Sequence, residues 1–233
     1  MATVILLRHA RSTANGAGVL AGRTPGVGLA ERGEEQAREL VDRLAGVPVA
    51  GLVRSPLHRC VQTLEPLSAK LGLTPVEEAR LSEVDYGAWT GKGIKDLLEE
   101  PLWKVVQQHP SAAVFPGGEG LAEVQSRAVA AIREHDARMA AEHGENAVWV
   151  ACSHGDVIKA VLADALGVHL DSFQRIVVEP CSMSVVSYTE TRPYVLRVND
   201  TGGDLSSLIP RADAESMAAA HAAVGGSAGT GPA

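Results

Sequence analysis

The chain has 233 residues, a length that suits one large domain or one domain with embellishments. Hydrophobic residues make up 45% of the chain and aromatic residues only 3%, so the expected core consists mainly of Ala, Val and Leu. The formal net charge of −7 argues against a general nucleic-acid binder, whose surface is usually basic. Three cysteines without paired spacing indicate neither a disulfide framework nor a CxxC zinc site.

The apolar runs in the sequence are short. A membrane span needs roughly 20 consecutive apolar residues, and no run approaches that length. The first run, Val4 to Leu7, ends at Arg8-His9 and is too short for the apolar region of a signal peptide. We therefore expect a cytoplasmic protein without a membrane partner.

Five short runs rich in β-branched residues predict strands. The second of them is broken by Pro48 and is expected to start after it. The first three run directly into polar residues, and the last two lie on either side of turn residues near Pro193. The predicted strands span residues 3–7, 49–53, 147–151, 183–188 and 194–198.

Amphipathic patterns between these runs predict helices. One covers residues 31–44, and a long one starts near Leu121 and reaches about His143. Another starts at Ser55-Pro56, where Ser can cap the helix and Pro suits the first helical position, and Pro66 is expected to bend or end it. The alternation of strands and helices predicts an α/β fold, a three-layer α/β/α sandwich with a mostly parallel sheet.

Two segments depart from this alternation. Residues 92–118 contain one predicted helix near 97–108 among several Pro and Gly, which indicates a small helical cap insertion. Residues 211–233 are rich in Ala and Gly and lack a sustained apolar stripe, so we expect a disordered tail. The predicted folded domain is therefore 1–210.

Cationic and imidazole side chains follow three of the predicted strands. Arg8 and His9 follow the first, Arg59 lies one helical turn beyond the second, and His154 follows the third. Ligands of open α/β sheets bind beyond the carboxyl ends of the strands, so these groups are expected to meet at one edge. Each alone suits an ordinary surface residue, but together they make a dense anion site, and phosphate is the ligand that arginine pairs best.

Five segments carry a common pattern in chain order: LRHARSTAN (7–15), SPLHRCVQT (55–63), LSEVDYGAWTG (81–91), PGGEG (116–120) and SHG (153–155). With Gly22-Arg23 and the segment 29–37 between the first two, they resemble the motifs of the histidine phosphatase superfamily, also called phosphoglycerate mutase-like. The resemblance extends from residue 3 to about residue 190 and is closest to the phosphatase-type members. Three positions depart from the family pattern without removing a residue on which the reaction depends: Ala10 for Gly, Arg11 for Glu or Gln, and Thr90 for Glu.

The resemblance implies a role for each site residue. His9 is expected to be the nucleophile that becomes phosphorylated, and Arg8, Arg59 and His154 to hold the phosphoryl oxygens without a metal or another cofactor. Glu83 is the expected general acid.

The carboxylate of Asp85 is the second candidate for that acid. Contacts to the substrate are expected from five further residues near the site: Asn15, Arg11, Ser12, Gly22 and Arg23. Arg11 and Arg23 suggest a second anionic group on the substrate.

The expected function is a metal-independent phosphomonoesterase that hydrolyses a small phosphorylated metabolite through a phosphohistidine intermediate. A phosphomutase of the phosphoglycerate mutase type is the first alternative, although the segment 91–116 is short for one. A phosphoprotein phosphatase is less favoured because members specialised for that role are shorter and lack most of the cap. A non-catalytic binder of phosphate ligands is the remaining alternative, and a homodimer is expected as the commonest symmetric assembly.

Several other polar residues fit structural roles. Cys60 and Cys152 are expected to be buried thiols. His135 and His143 are expected on the polar face of the long helix, and Asp156 is expected to cap or complement the helix after His154.

Overall fold

A six-stranded sheet runs through the described part of the chain, residues 1–203 of a computed structural model. The strands are β1 (Thr3–Arg8), β2 (Val49–Arg54), β3 (Val76–Glu77), β4 (Val148–Ser153), β5 (Met183–Ser187) and β6 (Tyr194–Asp200). Their order in the sheet is β3-β2-β4-β1-β5-β6. The first four strands in this order are parallel, whereas β5 and β6 run antiparallel to their neighbours. The mostly parallel sheet that the sequence predicts is therefore confirmed.

Helices cover both faces of this sheet. They are α1 (Thr13–Ala17), α2 (Glu31–Arg43), α3 (His58–Leu71), α4 (Ile94–Leu97), α5 (Pro101–Gln108), α6 (Leu121–His143) and α7 (Gly155–Leu166). One buried cluster joins α2 and α3 to the sheet, and a second joins α6 and α7 to its opposite face. The expected three-layer α/β/α arrangement follows from this division.

Strand β1 is apolar from Val4 to Leu7 because helices cover both of its faces. Ile5 and Leu7 belong to the cluster on the α2–α3 side, whereas Val4 and Leu6 belong to the cluster on the α6–α7 side. Successive side chains of a strand point to opposite faces, so a strand covered on both faces must be apolar at every position. The apolar run ends at Arg8, the last residue of β1, whose charged side chain is also buried.

Pro66 was expected to bend or end α3, and the helix continues through it to Leu71, so it does not end there. Its neighbours Leu64 and Leu67 are both buried in the cluster that joins α3 to the sheet. Packing of this apolar face supplies most of a helix's stability in a folded protein, which outweighs the local preference of one proline.

The segment 92–118 contains two short helices, α4 and α5, where the sequence indicates one near 97–108. Pro101 stands at the start of α5, a position where proline's missing N–H costs nothing. Leu97, Val106 and Phe115 are buried in the same cluster as α6 and α7. The segment therefore packs on the main core and shares it.

The expectation for His135 is wrong. Its side chain is buried, and Nε2 lies 3.0 Å from Glu78 Oε2 while Nδ1 lies 2.9 Å from Arg138 Nη2. A polar residue on a helix can be buried when a partner on another element meets it, and Glu78 follows β3, a strand that the sequence analysis did not predict. His143 is exposed, as expected.

Two expectations lie outside the described residues, which end at residue 203. They are the end of the folded domain at residue 210 and the disordered tail 211–233. Among residues 1–203, no helix combines the length and the apolar character that crossing a bilayer requires.

Gly33 in α2 marks a close approach of the helix to the loop after β1. A Cβ at this position would lie 2.0 Å from the carbonyl oxygen of Arg11, so Gly33→Ala must displace backbone. We expect a loss of about 1–3 kcal/mol in the free energy of unfolding, although Ala normally favours a helix. The control is Gly16→Ala in α1, where a Cβ would meet nothing within 4 Å. Denaturant unfolding of the two variants measures the effect, and equal stabilities would contradict the expected contact.

Candidate active site

The carboxyl ends of β1, β2 and β4 bring the expected anion-binding residues together. Arg8, the last residue of β1, lies opposite Ser153, the last residue of β4. The Arg8 guanidinium is fully buried and donates a hydrogen bond to the carbonyl of Val178 (2.8 Å). Burial lowers the pKa of Arg8 to about 10, so it still carries its positive charge at neutral pH.

The hydrogen bonds of His9 define its tautomer. The backbone N–H of His9 donates to Ser153 O (2.9 Å), and its Nδ1 lies 2.8 Å from Ala10 O. A carbonyl oxygen can only accept, so Nδ1 carries the proton and Nε2 keeps a free lone pair. Burial, followed by the charges of Arg59 and Arg8, holds the pKa of His9 well below its usual value, which keeps the imidazole neutral.

His154 lies beside His9, with 5.2 Å between the two ring centroids. Its Nδ1 lies 3.1 Å from Arg59 Nη2, and its Nε2 lies 2.8 Å from Ser55 Oγ. A guanidinium can only donate, so Nδ1 accepts and the Nε2–H donates to the serine. Burial and then the charge of Arg59 hold the pKa of His154 well below its usual value.

Ser55 was expected to cap α3, but the helix begins at His58 with Leu57 in the N-cap position. The Ser55 hydroxyl accepts a hydrogen bond from Leu57 N (3.3 Å) and holds His154 in place. Ser55 therefore serves the site and the turn before the helix, and Pro56 lies in that turn and not at the first helical position.

Arg59, on the first turn of α3, is buried and directed into the same site. Its Nη2 donates to the carbonyl of Gly22 (2.9 Å) as well as to His154. Thr63 Oγ1, one helical turn on, donates to Arg59 O (2.6 Å) and accepts from Ala10 N (2.9 Å). Helix α3 thereby fixes the backbone directly after His9.

Glu83 is buried, with Oε1 accepting a hydrogen bond from Val84 N (3.0 Å). Burial and then the negative charge of Asp156 raise the pKa of Glu83 to about 7, against the opposing effects of Arg59 and Arg8. The carboxyl can therefore exchange a proton near neutral pH. Asp85, the other candidate acid, uses Oδ1 to accept from Gly87 N (3.0 Å) within its own turn.

Three charged side chains hold the backbone of the Glu83 segment. Arg23 Nε and Arg127 Nη2 both donate to Glu83 O, at 2.8 and 3.3 Å. The Glu119 carboxylate accepts from Arg23 Nη2 (2.8 Å), from Arg127 Nε (2.9 Å) and from Asp85 N (3.0 Å). Sequence reasoning missed Arg127, because an arginine on a long helix gives no signal that it reaches a distant loop.

The five expected substrate contacts have varied surroundings. Ser12 and Asn15 cap α1 reciprocally, since Asn15 N donates to Ser12 Oγ (3.2 Å) and Ser12 N donates to Asn15 Oδ1 (3.0 Å). Gly22 supplies its carbonyl to Arg59, and Arg23 holds the Glu83 segment. Arg11 N donates to Gln36 Oε1 (3.0 Å). Substrate contact by these residues stays a prediction.

Other residues near the site bear on the structural expectations. Cys60 and Cys152 are buried free thiols, as expected. Asp156 lies in the first turn of α7 and is fully buried, and Tyr86 Oη donates to its Oδ2 (2.8 Å). Among residues 1–203, no three His, Cys, Asp or Glu side chains come together in a way that could hold a metal ion.

The chain was compared with models of known protein families. Residues 4–201 match the family model of the histidine phosphatase superfamily, branch 1. The chain belongs to the histidine phosphatase superfamily. The fold class and the superfamily that the sequence predicts are both confirmed.

Named members of the superfamily align with nearly the whole domain. Phosphoserine phosphatase 1 of Hydrogenobacter thermophilus is 31% identical over 86% of this chain and 93% of its own length. A probable phosphoglycerate mutase GpmB of Yersinia pestis is 29% identical over 89% of this chain and 95% of its own length. The solved structure of Bacillus stearothermophilus YhfR superposes with a TM-score of 0.77 at 24% identity, covering 86% of this chain and 98% of that one.

Proposed function

We propose that this histidine phosphatase is a metal-independent phosphomonoesterase that hydrolyses a small phosphorylated metabolite through a phosphohistidine. The observation that carries the proposal is the arrangement of His9, a neutral imidazole whose Nδ1 is bound to Ala10 O while Nε2 keeps its lone pair. Two buried guanidiniums, Arg8 and Arg59, lie beside it. A neutral nucleophile next to fixed positive charge suits attack on a dianionic phosphate.

In the first step, His9 Nε2 attacks phosphorus, and an N–P bond forms as the P–O bond to the leaving group breaks. The Arg8 and Arg59 guanidiniums bind the equatorial oxygens, where negative charge is spread in the transition state. Glu83, with its raised pKa, gives its proton to the departing alkoxide. The contact of Arg59 with His154 Nδ1 orients its guanidinium for binding the phosphoryl oxygens.

In the second step, water attacks the phosphohistidine. The Glu83 carboxylate produced in the first step accepts the water proton, and the N–P bond breaks to release phosphate and neutral His9. Glu83 is then protonated again, in the acid form that the first step of the next cycle requires. A pKa near 7 suits a group that must act as acid and then as base at neutral pH.

Transfer to water is favoured over transfer back to the substrate because the segment 91–116 is short for a mutase. The named relatives include both a phosphatase and a probable mutase, so an activity assay must distinguish hydrolysis from transfer back to the substrate. A cytoplasmic location and a homodimer are further parts of this proposal.

The experiment is phosphate release from sugar, glycerate, amino-acid, nucleotide and aryl phosphates, with EDTA present and His9→Ala as the matched variant. We expect turnover that survives EDTA and is abolished by His9→Ala, together with an acid-labile phosphoenzyme in the parent chain. Dependence on a bisphosphate primer would favour the mutase. Phosphate binding without any turnover would favour a non-catalytic binder.

A further inference from the structure

Helix α7 carries a buried pair of opposite charges behind the site. Asp156 and Lys159 are both fully buried, and Lys159 Nζ lies 3.6 Å from Asp156 Oδ1. Desolvating such a pair is costly, and well-packed apolar residues often stabilise a protein as well or better. The two reaction steps above use neither residue. Because desolvating this pair costs free energy and it lies near the reacting groups, we expect its charges to take part in the reaction.

The contacts of the pair connect two parts of the site. Tyr86 Oη donates to Asp156 Oδ2 (2.8 Å), and Tyr86 is three residues beyond Glu83 in the same loop. Asp156 itself is two residues beyond His154, the N-cap of α7. Lys159 Nζ donates to Gln174 Oε1 (3.0 Å). The Asp156 carboxylate therefore ties the loop that carries Glu83 to the helix that begins at His154.

We propose that Asp156 is a positioning residue for Glu83: through Tyr86 it fixes the acid-bearing loop, and its negative charge keeps the proton on the Glu83 carboxyl until the leaving group takes it. The positive charge of Lys159, 3.6 Å from Asp156 Oδ1, opposes this charge effect. The proposal rests on the proposed function, because it explains how Glu83 is held in its acid form.

The charges around Glu83 support this assignment. Burial is the largest cause of its raised pKa, the charge of Asp156 is the second, and Arg59 and Arg8 act in the opposite direction. Burial remains without Asp156, but the two guanidiniums that bind phosphate would then favour the Glu83 carboxylate more strongly. The groups that face the Glu83 side chain or its carbonyl come from every neighbouring element: Arg8, Arg23, Arg59, Tyr86, Arg127, Asp156 and Lys159.

The test is the pH dependence of kcat/KM for an alkyl phosphate that the parent chain hydrolyses. Asp156→Asn removes the negative charge, so the alkaline limb should move to lower pH, with a loss of about tenfold near pH 8 for a one-unit move. Lys159→Met removes the opposing positive charge, so its limb should move to higher pH. Asp164→Asn is the matched control, because Asp164 lies on the same helix and pairs at the surface with Arg133 (2.9 Å).

Opposite movements of the limb are a signature that loss of stability alone does not produce. A folded Asp156→Asn variant with an unmoved limb would overturn the proposal. Should that variant fail to fold by circular dichroism, Lys159→Met decides, and a limb that stays in place or moves to lower pH would overturn it. Absence of His9-dependent turnover in the parent chain is a separate outcome, which rejects the proposed function as well.

Discussion

Glu83→Gln is expected to lower kcat/KM for an alkyl phosphate by about 10²–10⁴-fold, the range that a positioned general acid contributes. Gln has nearly the same shape but no proton to give, so an alkoxide with a high pKa must leave unprotonated. An aryl phosphate such as 4-nitrophenyl phosphate has a stable leaving anion and does not need the acid. Its kcat/KM, which covers steps up to phosphoenzyme formation, should change little.

The aryl substrate also tests the second role of Glu83. Without the carboxylate to accept a proton from water, hydrolysis of the phosphohistidine should become slow, so rapid mixing should reveal a burst of 4-nitrophenol before a slow steady state. Asp85→Asn is the matched variant, since Asp85 is the other candidate acid and its carboxylate serves its own turn. Equal loss with both substrates in Glu83→Gln would remove Glu83 from the acid role, and an alkyl-specific loss in Asp85→Asn would transfer that role to Asp85.

The sequence predicted the fold class and the grouping of the site residues, because both depend on patterns local in the chain. Strand β1 is apolar from Val4 to Leu7 because it is covered on both faces, and the polar residues Arg8 and His9 follow this run directly. Arg8, His9 and His154 stand at strand ends, so parallel pairing of β1 with β4 brings them together.

What the sequence did not predict depends on contacts between distant side chains. Arg127 donates to the Glu83 carbonyl from α6, 44 residues away in the chain. The spacing of apolar residues along a helix does not predict such a contact. Asp156 lies in the first turn of α7, as expected, but its contacts with Tyr86 and Lys159 were not predicted. His135 was placed on a polar face because the strand that brings Glu78 to it is only two residues long. Each of these depends on tertiary packing, which the local pattern of a helix does not contain.

The tautomers of the two histidines also required the structure. Sequence alone places His9 and His154 at strand ends, but only the neighbouring atoms determine which nitrogen carries a proton. Ala10 O fixes the proton of His9 on Nδ1, and Arg59 Nη2 fixes that of His154 on Nε2. Burial is the main cause that lowers the pKa of both imidazoles, and the charge of the same guanidinium is the second. Arg59 therefore connects phosphate binding to the state of the nucleophile.

Arg59→Ala is therefore expected to lower kcat/KM by about 10²–10³-fold for alkyl and aryl phosphates alike, the cost of removing one preorganised donor to a developing negative charge. Loss of its charge should also raise the pKa of His9, because after burial Arg59 is the largest cause that lowers it. The acid limb of kcat/KM should then move to higher pH, as protonated His9 cannot attack.

Arg38→Ala, on the exposed face of α2, is the matched control, since its pairing with Glu34 at 4.0 Å is a surface contact of small energy. Arg59→Lys tests the shape of the donor, because an ammonium restores the charge but cannot bind two oxygens or hold His154 in the same way. It should return the acid limb to its original position while recovering only part of the rate. Full recovery of the rate by Lys would show that charge alone is required, and a substrate-specific loss in Arg59→Ala would place Arg59 at the leaving group and away from the phosphoryl oxygens.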